Sequence, residues 1–477
     1  MHSGQAMQRI QRKRALYMLG DALACMPAWT LFFLYRKSET PWIYNQLPWH
    51  SHLFNDSNYL WGLLVLPLFW LSIHALSGYY KEVDRKSRLM ELFRTILASV
   101  AGGLILFFFI ILDDTVFLYT DYYRSLAVLI GLQFGFTWIP RVVQTSRYHA
   151  QIRSGRLTFP TLLLGDIDGI KEVQGKLNPQ RFLSGTEMLG YLSAEQDPTW
   201  NELPWLGKID QLEDLLNQQP VDDVVICFRQ TDHVTLQQLI SRLHLLGVRI
   251  RIRPDLYDIT SGTVRFSNIF ETPLMEVHAL KMPPWQQFLK RAMDIVVSGI
   301  MLVILSPLYL FIALRVKLDS RGPVFYNHER IGLNGKSFKI FKFRSMVVNA
   351  ESHTPRLSSD SDRRITPWGR TMRKYRLDEL PQFYNVLRGN MSLVGPRPER
   401  AYFIEQITQV APHYRLLHRV KPGITSWGQV KFGYAENIDE MVERLKFDLL
   451  YIHNASLLLD LKIMLHTFLI VVRGEGK

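Results

Sequence analysis

The chain has 477 residues, 47% of them hydrophobic, and a formal net charge of +13. That length allows about three domains of ~100–200 residues each. Its two cysteines, Cys25 and Cys227, form no metal spacing, which excludes a disulfide framework and a cysteine-based zinc site. The positive charge admits nucleic acid, an anionic lipid surface or a phosphorylated small molecule as partner. With no recognisable nucleic-acid module present, nucleic acid is set aside.

Four apolar runs approach the ~20 residues that cross a bilayer as helix. They are Ala15–Tyr35, Tyr59–Tyr80, Thr95–Leu112 and Leu126–Val143. The first follows a basic start (Arg9, Arg12, Lys13, Arg14), but it is long and lacks a small-residue cleavage site. It therefore reads as a span and not as a cleaved signal. Trp29, Tyr35, Tyr59, Trp61, Tyr79, Tyr80 and Trp138 lie near the run ends, where interfacial aromatics are expected. Loop charge alternates: the Lys81–Arg94 loop carries five Lys/Arg, while Asp113–Tyr123 has none and three aspartates. This pattern puts both ends of a four-helix transmembrane bundle, residues 1–150, in the cytoplasm.

Residues 156–280 read as a cytoplasmic α/β domain. Thr158–Leu164, Val221–Phe228 and Gly247–Arg253 have strand character, and Leu236, Leu239, Ile240, Leu243 and Leu246 have helical spacing. Strand–helix–strand order predicts a parallel sheet of Rossmann or flavodoxin type. Its first turn, Gly165-Asp166-Ile167-Asp168-Gly169, lacks the full Gly-x-Gly-x-x-Gly of a dinucleotide site.

A fifth apolar run covers Ala292–Val316, twenty-five residues, or about 37 Å as helix. Lys290 and Arg291 precede it, and Arg315, Lys317 and Arg321 close it, so both ends favour the cytoplasm. A kinked fifth span cannot satisfy both flanks, whereas a re-entrant helix over about 292–316 can. Ser306-Pro307 marks its break, because proline removes a helix hydrogen bond and serine re-satisfies a freed carbonyl. Asp294 beside Arg291 predicts an ion pair at the interface.

From Gly322 the chain reads as a β-hairpin with a loop at Gly332–Lys336, then a strand in which Lys342 and Arg344 share one face. That face reads either as solvated or as anion-binding. Arg330 to Arg400 holds fifteen Lys/Arg against six Asp/Glu. Ile365–Tyr375 reads as a basic helix, and a second helix is expected to start at Asp378 and to end at Gly389. Asp378 and Glu379 could serve there as caps or as catalysts, since a helix start and nearby arginines favour ionised carboxylates and attract phosphate. In Gly395-Pro396-Arg397-Pro398-Glu399, two prolines fix the backbone around one guanidinium fork suited to phosphate.

Together these motifs resemble the catalytic domain of the bacterial sugar transferases called monotopic phosphoglycosyl transferases. The resemblance runs in order through Lys290-Arg291 with Asp294, Ser306-Pro307, Gly322-Pro323-Val324-Phe325 and Lys342-Phe343-Arg344-Ser345-Met346. It continues through Leu377-Asp378-Glu379-Leu380-Pro381-Gln382, Ser392–Pro398 and Lys421-Pro422-Gly423-Ile424-Thr425. It implies an α+β catalytic domain over residues 281–477 that carries the re-entrant helix. It also implies a multi-pass protein of the bacterial inner membrane with its catalytic domain on the cytoplasmic face. The reaction implied moves hexose 1-phosphate from a UDP-hexose, glucose or galactose, to undecaprenyl phosphate and releases UMP. That reaction is the first membrane step of exopolysaccharide, capsule or O-antigen synthesis. In it Asp378 is the nucleophile and Glu379 the Mg2+ ligand. Arg397 is the first phosphate clamp, and Lys342, Arg344, Arg376 and Lys336 are further substrate contacts. A homodimer is implied by the resemblance alone. The apolar run Leu457–Val472, broken by Asp460, Lys462 and His466, is expected to lie in the interface.

Overall fold

A computed structural model describes residues 2–38, 56–80, 87–111, 119–178, 185–229, 233–246, 248–253, 274–277, 282–348, 350, 362–433 and 435–474. Packing divides the chain into two compact units, one formed mainly by Met1–Cys227, the other mainly by Gln286–Lys477.

Four helices open the first unit: α1 (His2–Ser38), α2 (Ser57–Leu76), α3 (Arg88–Leu106) and α4 (Tyr119–Arg153). Each contains a segment long and apolar enough to cross a membrane. Residues 81–86 and 112–118, within the loops used to orient them, lie outside the described residues. Gly102 and Gly103, which interrupt the third apolar run, are packing seats. A Cβ on Gly102 would lie 2.3 Å from the Trp70 ring, so the helix tolerates only glycine against that indole. Several aromatics expected at the interface instead fill the bundle: Trp29, Tyr59, Tyr79 and Tyr80 are buried. Trp29 Nε1 donates to the Tyr59 carbonyl at 3.1 Å.

A polar cluster that periodicity does not reveal ties the helices together. Arg141 of α4 donates from Nε to Asp21 Oδ1 of α1 at 2.9 Å and from Nη2 to Oδ2 at 2.6 Å. Its Nη1 reaches Thr95 of α3 at 2.9 Å, and the guanidinium lies 3.6 Å from the Tyr79 ring centroid. Glu91 of α3 accepts from Tyr79 and Thr145, and Tyr80 donates to Asp21 at 2.7 Å. Charges taken out of water persist only when paired and hydrogen-bonded in this way.

The α/β segment follows. Strands β1 (Phe159–Leu164), β2 (Thr186–Leu192), β3 (Trp205–Gly207) and β4 (Asp223–Ile226) run parallel in the order β3-β2-β1-β4. Leu162, Leu163 and Leu164 are fully buried, as expected of a strand covered on both faces. Asp166 caps α5 (Ile167–Leu177) by accepting from the Gly169 amide at 3.0 Å, and α6 (Leu212–Gln218) precedes β4. The sequence reading places β1 and β4 but misses β2, whose Thr, Glu and Gly mask the strand pattern. Gly247, the expected start of another strand, lies outside the described residues.

In the second unit, β5 (Arg249–Ile252) pairs antiparallel with β6 (Met275–Glu276), and α7 spans His233–Leu246. Helix α8 (Pro284–Ile304) and helix α9 (Ser306–Asp319) meet at a 62° bend. Ser306 Oγ donates to the Val303 carbonyl at 2.7 Å, the repair expected beside Pro307. The predicted Arg291–Asp294 pair gives way to backbone contacts. Arg291 donates to the Val386 and Leu387 carbonyls, while Asp294 accepts from the Leu393 amide at 2.9 Å and from Ser392 at 3.1 Å. Lys290 pairs instead with buried Asp460 at 2.6 Å, on the C-terminal helix α15 (Leu457–Arg473). Strands β7 (Phe325–Ile331) and β8 (Ser337–Phe343) form an antiparallel ribbon beside α10 (Pro367–Lys374) and α11 (Gln382–Arg388). The remaining elements include β9 (Ser392–Val394), α12 (Ala401–Val410), β10 (Gly423–Thr425), α13 (Trp427–Lys431) and α14 (Ile438–Asn454).

Arg141→Ala strands Asp21 without its partner, a change that costs about 3–5 kcal/mol in a buried pair. In detergent the variant is expected to unfold at a lower temperature than the wild type, while exposed Arg153→Ala matches it. Equal unfolding temperatures for Arg141→Ala and the wild type would contradict the structural role of the cluster.

Candidate active site

The acid pair lies in a single 3₁₀ turn, Leu377–Glu379, and not at the start of the α-helix expected from the sequence. Pro381 caps α11 instead, and Gly389 ends it with a left-handed φ of 92°. Arg376 precedes the turn at φ 51°, ψ 26°, a left-handed conformation that costs a non-glycine residue about 1–2 kcal/mol. This sharp reversal after α10 directs both acids inward: Asp378 is 7% exposed and Glu379 4%.

The ribbon supplies the facing wall. Tyr326 pairs with Lys342, His328 with Ile340 and Arg330 with Phe338. Side chains alternate along a strand, so Tyr326, His328, Arg330 and Lys342 share one face. Lys342 Nζ reaches Glu379 Oε1 at 2.7 Å, and Arg397 Nη2 approaches the same oxygen at 3.4 Å. Arg376 Nη1 stands 4.0 Å from Glu379 Oε2. Arg397 is carried by the turn after β9, where two backbones nearly touch. A Cβ on Gly423 would lie 2.1 Å from the Gly395 nitrogen.

A cavity of about 450 Å³ opens between these elements, lined by Asp378, Lys342, Arg373 and Arg397, among others. Burial pushes the Asp378 carboxyl above the ordinary carboxylate range, against the pull of Lys342. Burial acts in the same sense on Glu379, but Lys342, Arg397 and Arg376 outweigh it and hold that carboxyl below its usual range. Burial also lowers the Lys342 ammonium, with both acids opposing. We take Glu379 as the ionised member, because three cations face it directly.

Arg344 and Lys336 differ in where they are placed. Arg344 borders the cavity, but its guanidinium donates to the Arg321 and Ser320 carbonyls at 2.8 and 2.7 Å, closing the C-terminal end of α9. Lys336 is exposed in the ribbon's loop and does not line this cavity.

The structure also adds residues that sequence reasoning missed. Glu399 accepts from Arg330 at 2.7 Å and from Arg444 at 2.8 Å, with Arg397 Nε at 3.9 Å. Arg397 thus stands between the carboxylates of Glu379 and Glu399. The signal for Glu399 was its place in Pro396-Arg397-Pro398-Glu399. Arg330 and His328 were legible only as period-two neighbours of Tyr326. Arg444, on α14, left no signal.

Among the described residues no three His, Cys, Asp or Glu side chains converge on one point. The described residues therefore offer no complete cage for a metal. Magnesium needs none when one or two carboxylates share it with waters and substrate phosphates. Asp378 and Glu379 fit that sparse donor set, with Lys342 and Arg397 at Glu379 Oε1 and Arg376 4.0 Å from Oε2.

Residues 285–474 match the bacterial sugar transferase family, and residues 75–254 match a family described as a CoA-binding domain. The chain is 38% identical over 240 residues to the UDP-N-acetylgalactosamine-undecaprenyl-phosphate N-acetylgalactosaminephosphotransferase of Aeromonas hydrophila, covering 50% of this chain and 56% of the relative. It is 36% identical over 272 residues to the UDP-glucose:undecaprenyl-phosphate glucose-1-phosphate transferase of Escherichia coli K12, covering 57% and 58%. Both matches thus span less than two thirds of the relative's length. A longer match, 30% identical over 392 residues, is to the undecaprenyl-phosphate glucose phosphotransferase of Komagataeibacter xylinus and covers 78% of this chain and 70% of that protein. On this likeness the chain belongs to the bacterial sugar transferase family.

Proposed function

We propose that the chain transfers hexose 1-phosphate from a UDP-hexose to undecaprenyl phosphate, releasing UMP, with Asp378 as nucleophile. The observation that carries this reading is a buried acid pair at a cationic cavity, whose members are pushed in opposite directions. Relatives named for undecaprenyl-phosphate glucose and N-acetylgalactosamine phosphotransfer support the reaction class. Glucose or galactose is the hexose we propose.

In the first step an Asp378 oxygen attacks the sugar-proximal phosphorus. The bond from that phosphorus to the bridging oxygen breaks, and UMP departs with the electron pair. The acceptor's phosphate oxygen then attacks the same phosphorus and frees the carboxylate. One transfer between two anions becomes two displacements. Carboxylate attack on a pyrophosphate brings like charges together, so Lys342, Arg397 and Arg373 act by neutralising the phosphate oxygens. Glu379, with Asp378 beside it, would hold Mg2+, which would supply further charge neutralisation. Arg376 holds Glu379 from its second oxygen.

The acceptor's phosphate lies at headgroup level. A re-entrant α8–α9 hairpin would keep the cavity there, on the cytoplasmic side of the inner membrane, and its basic flanks support that placement. Tyr309 of α9 donates to the Leu380 carbonyl at 2.7 Å, one residue beyond Glu379, and links the hairpin to the acid turn. The proposed organisation is a bundle over 1–150, an α/β domain over 156–280 and a catalytic domain over 281–477.

Asp378→Asn keeps the size of the side chain and removes the nucleophile. UMP release is expected to drop to background, with insertion and folding retained. Turnover near the wild-type level would refute the nucleophile. Because Asp378 must be ionised to attack and its pKa is raised, the rate should fall with decreasing pH at values above the ordinary carboxylate range. A pH–rate profile flat down to ordinary Asp titration would argue against it. For topology, Cys25 and Cys227 are replaced by serine, and exposed Lys446 of α14 by cysteine. A membrane-impermeant maleimide should label this site only when the cytoplasmic face is open; labelling of intact spheroplasts would mean that the hairpin crosses.

A further inference from the structure

The cations around Asp378 serve phosphate, yet a nucleotide donor also carries a flat, uncharged base. The ribbon places rings beside those cations. Tyr326 stands directly opposite Lys342, the lysine that grips Glu379, and its side chain is 40% exposed in the cavity lining. His328 follows on the same face, about 7 Å further along the strand. The two rings lie 5.2 Å apart, tilted by 34°, and make a continuous shelf. Arg400 Nη2 donates to Tyr326 Oη at 3.1 Å and fixes the phenol from the side. Arg330 Nε donates to His328 Nε2 at 2.7 Å and fixes the imidazole.

Other rings of the lining are already engaged. Phe325 and Phe343 stack on one another at 5.3 Å, and Phe403 is buried in the packing of α12. Burial and the surrounding Arg330, Arg400, Lys342 and Arg397 hold the His328 imidazole far below its usual range, so the shelf stays uncharged. A neutral aromatic surface beside a run of cations is the arrangement that holds nucleotides, with stacking for the base and charge for the phosphates.

We propose that Tyr326, backed by His328 and steadied by Arg400, is the platform on which the uracil of the nucleotide donor stacks. The inference rests on the donor reading above and adds the place where the base lies. It makes Tyr326 a binding residue whose loss weakens nucleotide affinity without touching the acid pair. Recognition through the ring face also predicts that the hydroxyl is dispensable and that a larger ring substitutes.

The test uses the full-length protein in detergent with magnesium present. Calorimetry compares UMP, which has a base but no hexose, with pyrophosphate, which has neither. Removing a stacking partner weakens binding by about fivefold to about 150-fold. Tyr326→Ala is therefore expected to raise the Kd for UMP at least about fivefold and to leave pyrophosphate within about twofold. Tyr326→Phe and Tyr326→Trp should keep UMP binding. Wild-type UMP affinity in Tyr326→Ala would overturn the platform. So would a loss confined to UDP-glucose, which would place the sugar there instead. A wild-type protein that binds pyrophosphate but no uridine nucleotide would overturn the donor reading, and the platform with it.

Discussion

Two carboxylates adjacent in sequence and buried in one 3₁₀ turn repel each other, and the cations that surround them decide which carries the charge. Lys342 and Arg397 converge on one oxygen of Glu379, at 2.7 and 3.4 Å, while Arg376 stands by the other. Asp378 has no comparably short ion pair among the described residues, and burial dominates its titration. Environment thus separates two chemically similar acids into a fixed anion and one whose ionisation burial opposes. Three parts of the second unit contribute to that separation: β8 brings the lysine, the Gly395–Pro398 turn the arginine, and the left-handed Arg376 the reversal. The Glu399 carboxylate steadies the system from the far side, because Arg397 reaches Glu379 from a position shared with Glu399.

The same turn is also held from the direction of the bent helix pair α8–α9. Tyr309 reaches the Leu380 carbonyl, and Arg344 closes the C-terminal end of α9. Arg344 thereby has a clear physical role that differs from the phosphate contact expected of it. A guanidinium with five donors is well suited to collect the orphan carbonyls of a helix end. Arg344 lies one residue beyond β8, and its alternation with Lys342 in the sequence could not distinguish a phosphate from a helix C-terminus. The Arg291–Asp294 prediction failed for a related reason. Sequence proximity favours a local ion pair, yet the fold offers each side chain a better partner on a distant backbone.

The four apolar helices were legible because a bilayer demands long apolar runs. The acid pair and Arg397 were legible because prolines and charge cluster around them. The buried Asp21–Arg141 pair was not, since its partners are 120 positions apart. Nor was Arg444, which reaches Glu399 across 45 positions. Glu399 itself was in plain view within a quoted motif, but nothing in the local sequence says that its carboxylate anchors three guanidiniums. Only tertiary packing brings those charges together, and no periodicity encodes it.

The central claim is that Asp378 becomes covalently phosphorylated by the sugar-bearing half of the donor. The most direct measurement is mass spectrometry of peptides from the purified protein after brief exposure to a UDP-hexose and Mg2+ in the absence of lipid acceptor, quenched in acid. The account predicts a hexose phosphate adduct on the peptide containing Asp378, formed with an equal amount of UMP and lost on adding undecaprenyl phosphate. UMP formed only when acceptor is present, with the Asp378 peptide unmodified throughout, would contradict it.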